Sequence, residues 1–446
     1  MMTTATETPT SDLATKSFES NTVRKIQKRL LPFLFICYMV ANLDRINVGF
    51  ASLTMNKALG ISAQQYGFLA GIFFIGYLLF EIPSNVILHK VGARRWIARI
   101  LISWGIVAAC TGFAQTATHI YIVRFLLGIA EAGFFPGIIL YLTFWFRQHE
   151  RAQVIALLMT GLPACNILGA PISGFILDHV HWLGWGGWRW MLVLEGAPAI
   201  VLGIVTYFVL PDRPADAKFL SRAEKDWLGA ELKREEDVAL AGTGHVSALK
   251  AMGIGRVWHL AAIYFFFVFT LNWMNFFFPQ VVKGLSKMYT NTTVGFLVMV
   301  PNICALIAMV LVSRHSDRTG ERRFHGAAVL VIAAICVLSV TQVVHNPALS
   351  MVLLTITAAG IVSFFGPFWS LPSKFLTGIG AAAGIAFINS FAQIGGFFSP
   401  NIVGYINGRT GSMVGGAIVA GVSLLISATL VLLLPDKRTG TSGAGS

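Results

Sequence analysis

The stretch LLPFLFICYMVANLDRINVGF, from Leu30 to Phe50, is an apolar run interrupted by one acid and one base, Asp44 and Arg45. At 1.5 Å per residue it is long enough to cross a hydrocarbon layer of about 30 Å. A charge at the centre of such a helix costs about 2.5–3.5 kcal/mol on insertion scales. Chains accept that cost where the charge faces a polar cavity and has work to do. A second run, Ile120 to Tyr141, repeats the pattern with Arg124 and Glu131. Two acid–base constellations in apolar helices point to a polar pathway through a membrane.

The rest of the chain agrees. Only 12% of the 446 residues are charged and 55% are hydrophobic, against about 25% charged in soluble proteins. Apolar stretches recur near 30–50, 64–88, 95–114, 118–142, 152–177, 190–210, 257–280, 291–313, 325–343, 349–371, 379–406 and 413–434. The expectation is an all-α polytopic membrane protein, with twelve transmembrane helices in two pseudo-symmetric six-helix halves.

Lys and Arg set the expected orientation. With the N-terminus inside, Arg24, Lys25, Lys28, Arg29, Lys90, Arg94, Arg95, Arg147, Arg151, Arg314, Arg318, Arg322, Arg323, Lys437 and Arg438 all fall on one side. Lys57, Arg189, Lys283, Lys287 and Arg409 fall on the other. The positive-inside rule then places both termini in the cytoplasm of a cell (inner) membrane protein. Topology thereby accounts for the net charge of +13 without nucleic acid as a partner. The five cysteines, at 37, 110, 165, 304 and 336, lie in apolar segments without metal-type spacing. No metal, cofactor or enzymatic activity is expected, and nothing calls for more than a monomer in the lipid bilayer.

Five segments follow: a disordered tail at 1–23, a six-helix half at 24–210, a cytoplasmic linker at 211–255, a second half at 256–438 and a disordered tail at 439–446. The linker gathers acids between basic residues, and Ser221 with Glu224 forms the S-x-x-E pattern of a helix capping box. The halves rhyme. Val209-Leu-Pro-Asp-Arg-Pro214 closes one and Leu433-Leu-Pro-Asp-Lys-Arg438 the other; His89-Lys-Val-Gly-Ala-Arg-Arg95 matches Asp317-Arg-Thr-Gly-Glu-Arg-Arg323. Duplicated halves predict a solute site near the midplane between them.

Ser313-x-x-x-Asp317-Arg318-x-Gly320-x-Arg322 resembles the G-x-x-x-D-R-x-G-R-R loop of the major facilitator superfamily. The first-half copy departs from it, with Asn85 at the leading glycine and His89 at the aspartate. Leu43-Asp-Arg-Ile-Asn-Val48, Gly76-Tyr-Leu-Leu-Phe-Glu-Ile-Pro83, Arg124-x-x-x-Gly128-x-x-Glu131-Ala-Gly133-x-x-Pro136 and Leu210-Pro-Asp-Arg-Pro214 resemble its anion:cation symporter branch. That resemblance implies proton-coupled symport of a small organic anion such as tartrate, phthalate, hydroxyphenylacetate or a sugar acid. It implies that Arg45 grips the substrate carboxylate, that Asp44 and Glu131 carry protons, and that Arg124 partners an acid or the substrate. Tyr77 stands where relatives place a substrate-facing tyrosine, and Asn389 and Gln393 match polar family positions.

From the residues themselves, Arg124, Gly128 and Glu131 share a helix face, and an Arg fork suits a carboxylate. The plain alternative is that both acid–base pairs are internal salt bridges positioning helices. Asn272 and Asn275, amid the aromatics of the seventh span, either meet solute or bond another helix. Trp369 and Ser370 are weaker candidates. Phe364, Phe365 and Phe368 tilt the expected substrate toward aromatic or less hydroxylated acids. Glu81, Asp317, Arg318 and Arg322 are expected at a cytoplasmic gating latch; Glu195, after Arg189, is expected to pair that arginine or a nearby loop. A competing reading is a proton antiporter, whose Gly-Pro-x-x-Gly-Gly sign is here Gly169-Ala-Pro-Ile-Ser-Gly174. No Gly-x-x-x-x-Gly-Lys-Ser/Thr phosphate loop points to a primary pump.

Overall fold

The computed structural model describes residues 9–241, 253–372 and 378–434. Residues 1–8, the linker's 242–252 and the tail with Lys437 and Arg438 lie outside the described residues, as does the side chain of His89. Among the described residues all regular structure is helical. The first half comprises α1 (Pro9–Ala58), α2 (Ala63–Val91), α3 (Ala93–Thr111), α4 (Ala117–Glu131), α5 (Phe134–Thr143), α6 (Gln148–Met159), α7 (Gly161–His179) and α8 (Gly187–Val209). The linker helix is α9 (Arg222–Ala241). The second half comprises α10 (Gly255–Gly284), α11 (Asn291–Thr319), α12 (Arg323–Val340), α13 (Pro347–Ser363), α14 (Phe365–Trp369), α15 (Gly378–Thr410) and α16 (Val414–Leu432).

Ten of these helical segments are long and apolar enough to cross a membrane, counting α4 with α5, α6 with α7 and α13 with α14 as single spans. α3 and α15, which are not among those ten, pack in the same bundle. α3 packs along α8 and α15 along α2 and α10. α3 opens with Arg94, Arg95 and Arg99, while α15 carries Asn389, Gln393, Asn401 and Asn407 among its apolar residues. Between α4 and α5 the fourth span breaks at Gly133, whose φ of +82° is a left-handed conformation that glycine adopts without a Cβ penalty.

Hydroxyls bind the second half. Thr270 donates to the Ala420 carbonyl at 3.0 Å, Ser423 to Phe266 at 3.0 Å, Ser427 to Ile263 at 3.0 Å and Ser399 to Phe269 at 2.6 Å. Such bonds hold helices together where lipid supplies no hydrophobic drive.

The repeated phrases meet in the first half. Asp212, from the phrase ending α8, accepts the Arg94 backbone N–H at 2.8 Å and pairs with its side chain at 3.4 Å. In the second half Arg323 donates to the Leu432 carbonyl, just before the matching phrase.

The N-terminal segment differs from expectation. From Pro9 on it belongs to α1. Glu19 pairs with Arg147 at 3.0 Å, and Val23 and Ile26 are buried, so contacts with the bundle extend the helix back through most of the expected tail. The linker helix begins with the expected capping box: Ser221 N–H donates to Glu224 at 2.6 Å and Glu224 N–H to the Ser221 hydroxyl at 3.3 Å. It docks on the first half through Lys25–Glu224 at 3.0 Å and Arg151–Glu235 at 3.2 Å.

The halves meet chiefly at the end of the bundle away from the linker. Tyr66 O–H donates to the Phe276 carbonyl at 2.7 Å, and Asp178 accepts from Asn291 and Thr292 at 2.7–2.8 Å. At Gly174 an added Cβ would lie 2.4 Å from the Asn291 carbonyl, so only glycine permits this approach. The structure is closed at that end, with a cavity between the halves on the linker side.

Candidate functional site

On α1, Tyr38, Asn42, Arg45 and Ile46 fall at spacings of four, three and one, which places them on one stripe of the helix. That stripe faces the other half. Together with Phe74 and Tyr77 of α2, Glu131, Asn272 and Asn275 of α10, and Asn389 and Gln393 of α15, it lines a cavity of about 130 Å³. Both halves contribute, as an inter-repeat site requires.

Arg45 is the cation of this cavity. Its Nε donates to Glu131 Oε1 at 2.7 Å, and its guanidinium lies 4.9 Å from the Tyr77 ring centre and 5.5 Å from that of Phe73. The arginine side chain keeps 26% exposure toward the cavity, while Glu131 is 1% exposed. Glu131 Oε2 has no hydrogen-bond partner.

The sequence neighbours do not form the internal salt bridges of the plain alternative. Adjacent residues on a helix point about 100° apart, so Asp44 turns away from Arg45 and out of the cavity. It lies inside the first half, accepting from Trp104 Nε1–H at 2.6 Å and Asn47 at 3.2 Å. Arg124 and Glu131 share a face but stand about 10 Å apart along the axis, beyond ion-pair reach. Arg124 is buried 5.2 Å from the Phe73 ring, with Nε and Nη2 unpartnered. It does not line the cavity, so direct substrate contact is not its place in this conformation.

Arg45, Tyr77, Asn272, Asn275, Asn389 and Gln393 do come together, as their spacing alone could not show. Asn272 also donates to the Val268 carbonyl of its own helix at 2.9 Å. Tyr38 and Asn42 were not singled out from sequence; their place on the Arg45 stripe is the signal that marks them. The cluster of phenylalanines before Trp369 is mostly core: Phe368 stacks on Tyr264 at 4.7 Å and Phe364 packs tilted against Phe267 at 4.8 Å. Only Phe365 of that group reaches the cavity. Trp369 packs edge-on against Tyr264 and Ser370 bonds the Gly366 carbonyl.

Two acids differ from their expected places. Glu81 is buried and accepts from Ser390 of the second half at 3.3 Å, so it bridges α2 to α15 and does not join Lys90 or Arg94. Glu195 sits inside the first half, accepting from Ser173 at 2.6 Å, while Arg189 donates to the Gly112 carbonyl. Eight residues separate Glu195 from the start of α8, enough to carry it into the interior. In the second-half loop, Asp317 pairs with Arg322 at 2.5 Å and Arg322 also donates to Ser316, while Arg318 is exposed. This loop closes on itself.

Helices in two halves around a charged, amide-lined cavity have the architecture of a multi-pass membrane transporter. The chain belongs to the Major Facilitator Superfamily, whose family model matches residues 34–400. It is 47% identical over 95% of its length to an Agrobacterium vitis protein provisionally assigned as a tartrate transporter, covering 93% of that protein. It is 41% identical over 93% of its length to the Pseudomonas putida protein NicT, provisionally assigned to metabolite transport, covering 94% of it. In fold it matches the inward-open xylose transporter XylE of Escherichia coli, with a TM-score of 0.74 and 13% identity over 92% of this chain and 97% of that one. These relatives support transport of a small organic acid.

Proposed function

We propose that the protein is a proton-coupled symporter that imports a small organic anion across the cytoplasmic membrane by alternating access, acting as a monomer. The observation that carries this reading is the Arg45–Glu131 ion pair at 2.7 Å in the cavity between the halves. An incoming carboxylate and Glu131 compete for one guanidinium. A proton on Glu131 removes its claim and frees the Arg45 fork for bidentate binding. Anion and proton therefore load together. When Glu131 loses its proton on the other side, it takes Arg45 back and expels the anion. The emptied pair is neutral and can recross the membrane.

Tyr77, Asn272, Asn275, Asn389 and Gln393 then hydrogen-bond the body of the solute, joined by Asn42. Amides at this density suit hydroxyl or carbonyl groups, and a cavity of about 130 Å³ suits a molecule of few carbons. A small hydroxycarboxylate fits this better than the aromatic acids expected from sequence, and the name of the Agrobacterium relative points the same way. Asp44 is a second proton carrier behind the cavity, and Arg124 balances the buried acids of the first half.

The basic loops and the linker mark the cytoplasmic end by the positive-inside rule. The closed end is then the outside, and the conformation is inward-facing. Asp317, Arg318 and Arg322 would engage across the inner end when it closes, with Glu81 already bridging the halves there.

The test uses proteoliposomes with a pH-sensitive dye in the lumen, given tartrate, galactonate, phthalate, 4-hydroxyphenylacetate or a neutral sugar in turn. Protein-dependent lumenal acidification is expected with a hydroxycarboxylate. No acidification with any acid, and alkalinisation of an acid-loaded lumen by another solute, would instead establish antiport.

A further inference from the structure

Glu195 is a buried acid that the cavity mechanism does not use. Its residue is 3% exposed, Oε1 accepts from the Ser173 hydroxyl at 2.6 Å, and Oε2 has no partner. No basic side chain among the described residues forms an ion pair with it; Arg189, the nearest base in sequence, bonds Gly112 and lies over the Trp188 ring. An ionised carboxylate without a cation in such an interior costs several kcal/mol. A carboxylic acid does not carry that cost, so the surroundings favour a group that holds a proton for part of its cycle.

α1 brings Asp44 and Asn47, α7 brings Ser173 and Cys165, and α3 packs with Gly105, Ala108 and Ala109 near Gly196. Asn47 donates to Asp44 at 3.2 Å. Asp44, held by Trp104 and Asn47, has donors suited to a carboxylate. The Ser173 hydroxyl beside Glu195 serves as donor or acceptor and accommodates either form.

We propose that Glu195 is a further proton-binding site, buried beside Ser173 and separate from the substrate cavity. It takes up one proton at its carboxylate and later releases it, with only that O–H bond made and broken. Its place supports entry from outside: it lies eight residues, about 12 Å, from the outer end of α8. The proposal rests on the proton-coupled reading above.

The experiment measures protons carried per anion from the reversal potential in proteoliposomes, for wild type, Glu195→Gln, Glu195→Asp and Ser173→Ala. Glu195→Gln is expected to carry one proton fewer, lowering accumulation about tenfold for a one-unit pH gradient, while anion exchange at equal pH persists. Glu195→Asp and Ser173→Ala are expected to keep the wild-type ratio. An unchanged ratio in Glu195→Gln overturns the proposal. A wild type that moves no protons overturns the symport reading itself, which is a separate result. Should Glu195→Gln fail to fold, wild-type protein answers by labelling with a hydrophobic carbodiimide, which attacks protonated carboxyls. Labelling at Glu195 that falls with rising pH supports the site; no labelling, or labelling independent of pH, rejects it.

Discussion

Asp178 and Thr292 join the two halves at the closed end: one carboxylate oxygen of Asp178 accepts both the backbone N–H of Thr292 at 2.7 Å and its hydroxyl at 2.8 Å. The other oxygen accepts from Asn291 at 2.7 Å. The carboxylate thus caps the first turn of α11 from the end of α7, where a helix N-terminus favours negative charge.

Asp178→Ala removes three hydrogen bonds that link the halves in this state. A loss of about 1–3 kcal/mol is expected, shifting the population toward the state open at this end five- to hundredfold. Gly174→Ala acts in the same direction by crowding the Asn291 carbonyl. Thiol labelling of a cysteine placed at Ala170 should quicken in both variants. Labelling at the wild-type rate would show that this contact does not hold the end shut.

Arg45→Lys keeps the charge but loses the planar fork and the stacking over Tyr77. Uptake is expected to fall at least a hundredfold with the protein still folded, read as anion binding by calorimetry beside size-exclusion behaviour. Binding within threefold of wild type would remove Arg45 as the carboxylate clamp.

Glu131→Gln leaves Arg45 without its competitor. Anion exchange between equal pools should continue, while proton-driven accumulation is lost, and the affinity for the anion should no longer vary with pH. Accumulation at wild-type levels would make Glu131 a structural partner and leave the protons to Asp44 and Glu195.

Asn389→Ala and Gln393→Ala each delete a neutral hydrogen-bonding group from the cavity. KM is expected to rise about three- to tenfold, in line with about 1 kcal/mol per bond, with the proton ratio unchanged. A change in proton ratio, and none in KM, would contradict their assignment to the solute.

Linker docking carries a pH dependence of defined sign. Partial burial pushes the Glu224 carboxyl up, but the Ser221 N–H and the Lys25 ammonium outweigh it and hold the group below its ordinary value. A depressed carboxyl stabilises docking fully above its unfolded value of about 4.3 and loses that stabilisation as pH falls further. Proteolysis at the linker should quicken below about pH 4, and Lys25→Ala should reduce that dependence.

Much of this protein was legible in its residues. Hydropathy marked the spans, the repeated Leu-Pro-Asp phrases marked the halves, Arg45 stood out as a charge in an apolar helix, and the family resemblance marked Tyr77, Asn389 and Gln393. Neighbours in sequence did not show which groups meet. Asp44 and Arg45 are adjacent yet point about 100° apart on α1, and Arg124 lies two turns from Glu131. Glu195 was passed over because a charge near a span end ordinarily reaches water or a loop.

By itself the sequence determined a twelve-helix membrane protein with duplicated halves, because span length, apolar content and helical periodicity are local properties. It also determined which helix face each polar group occupies. Only the tertiary structure decided what that face meets: that Arg45 pairs with Glu131 86 residues away, that Asp44 and Arg124 lie behind the cavity, and that Asp178 closes one end on Thr292. Such pairings depend on how whole helices pack across the bundle, and side-chain spacing along one helix carries no record of it.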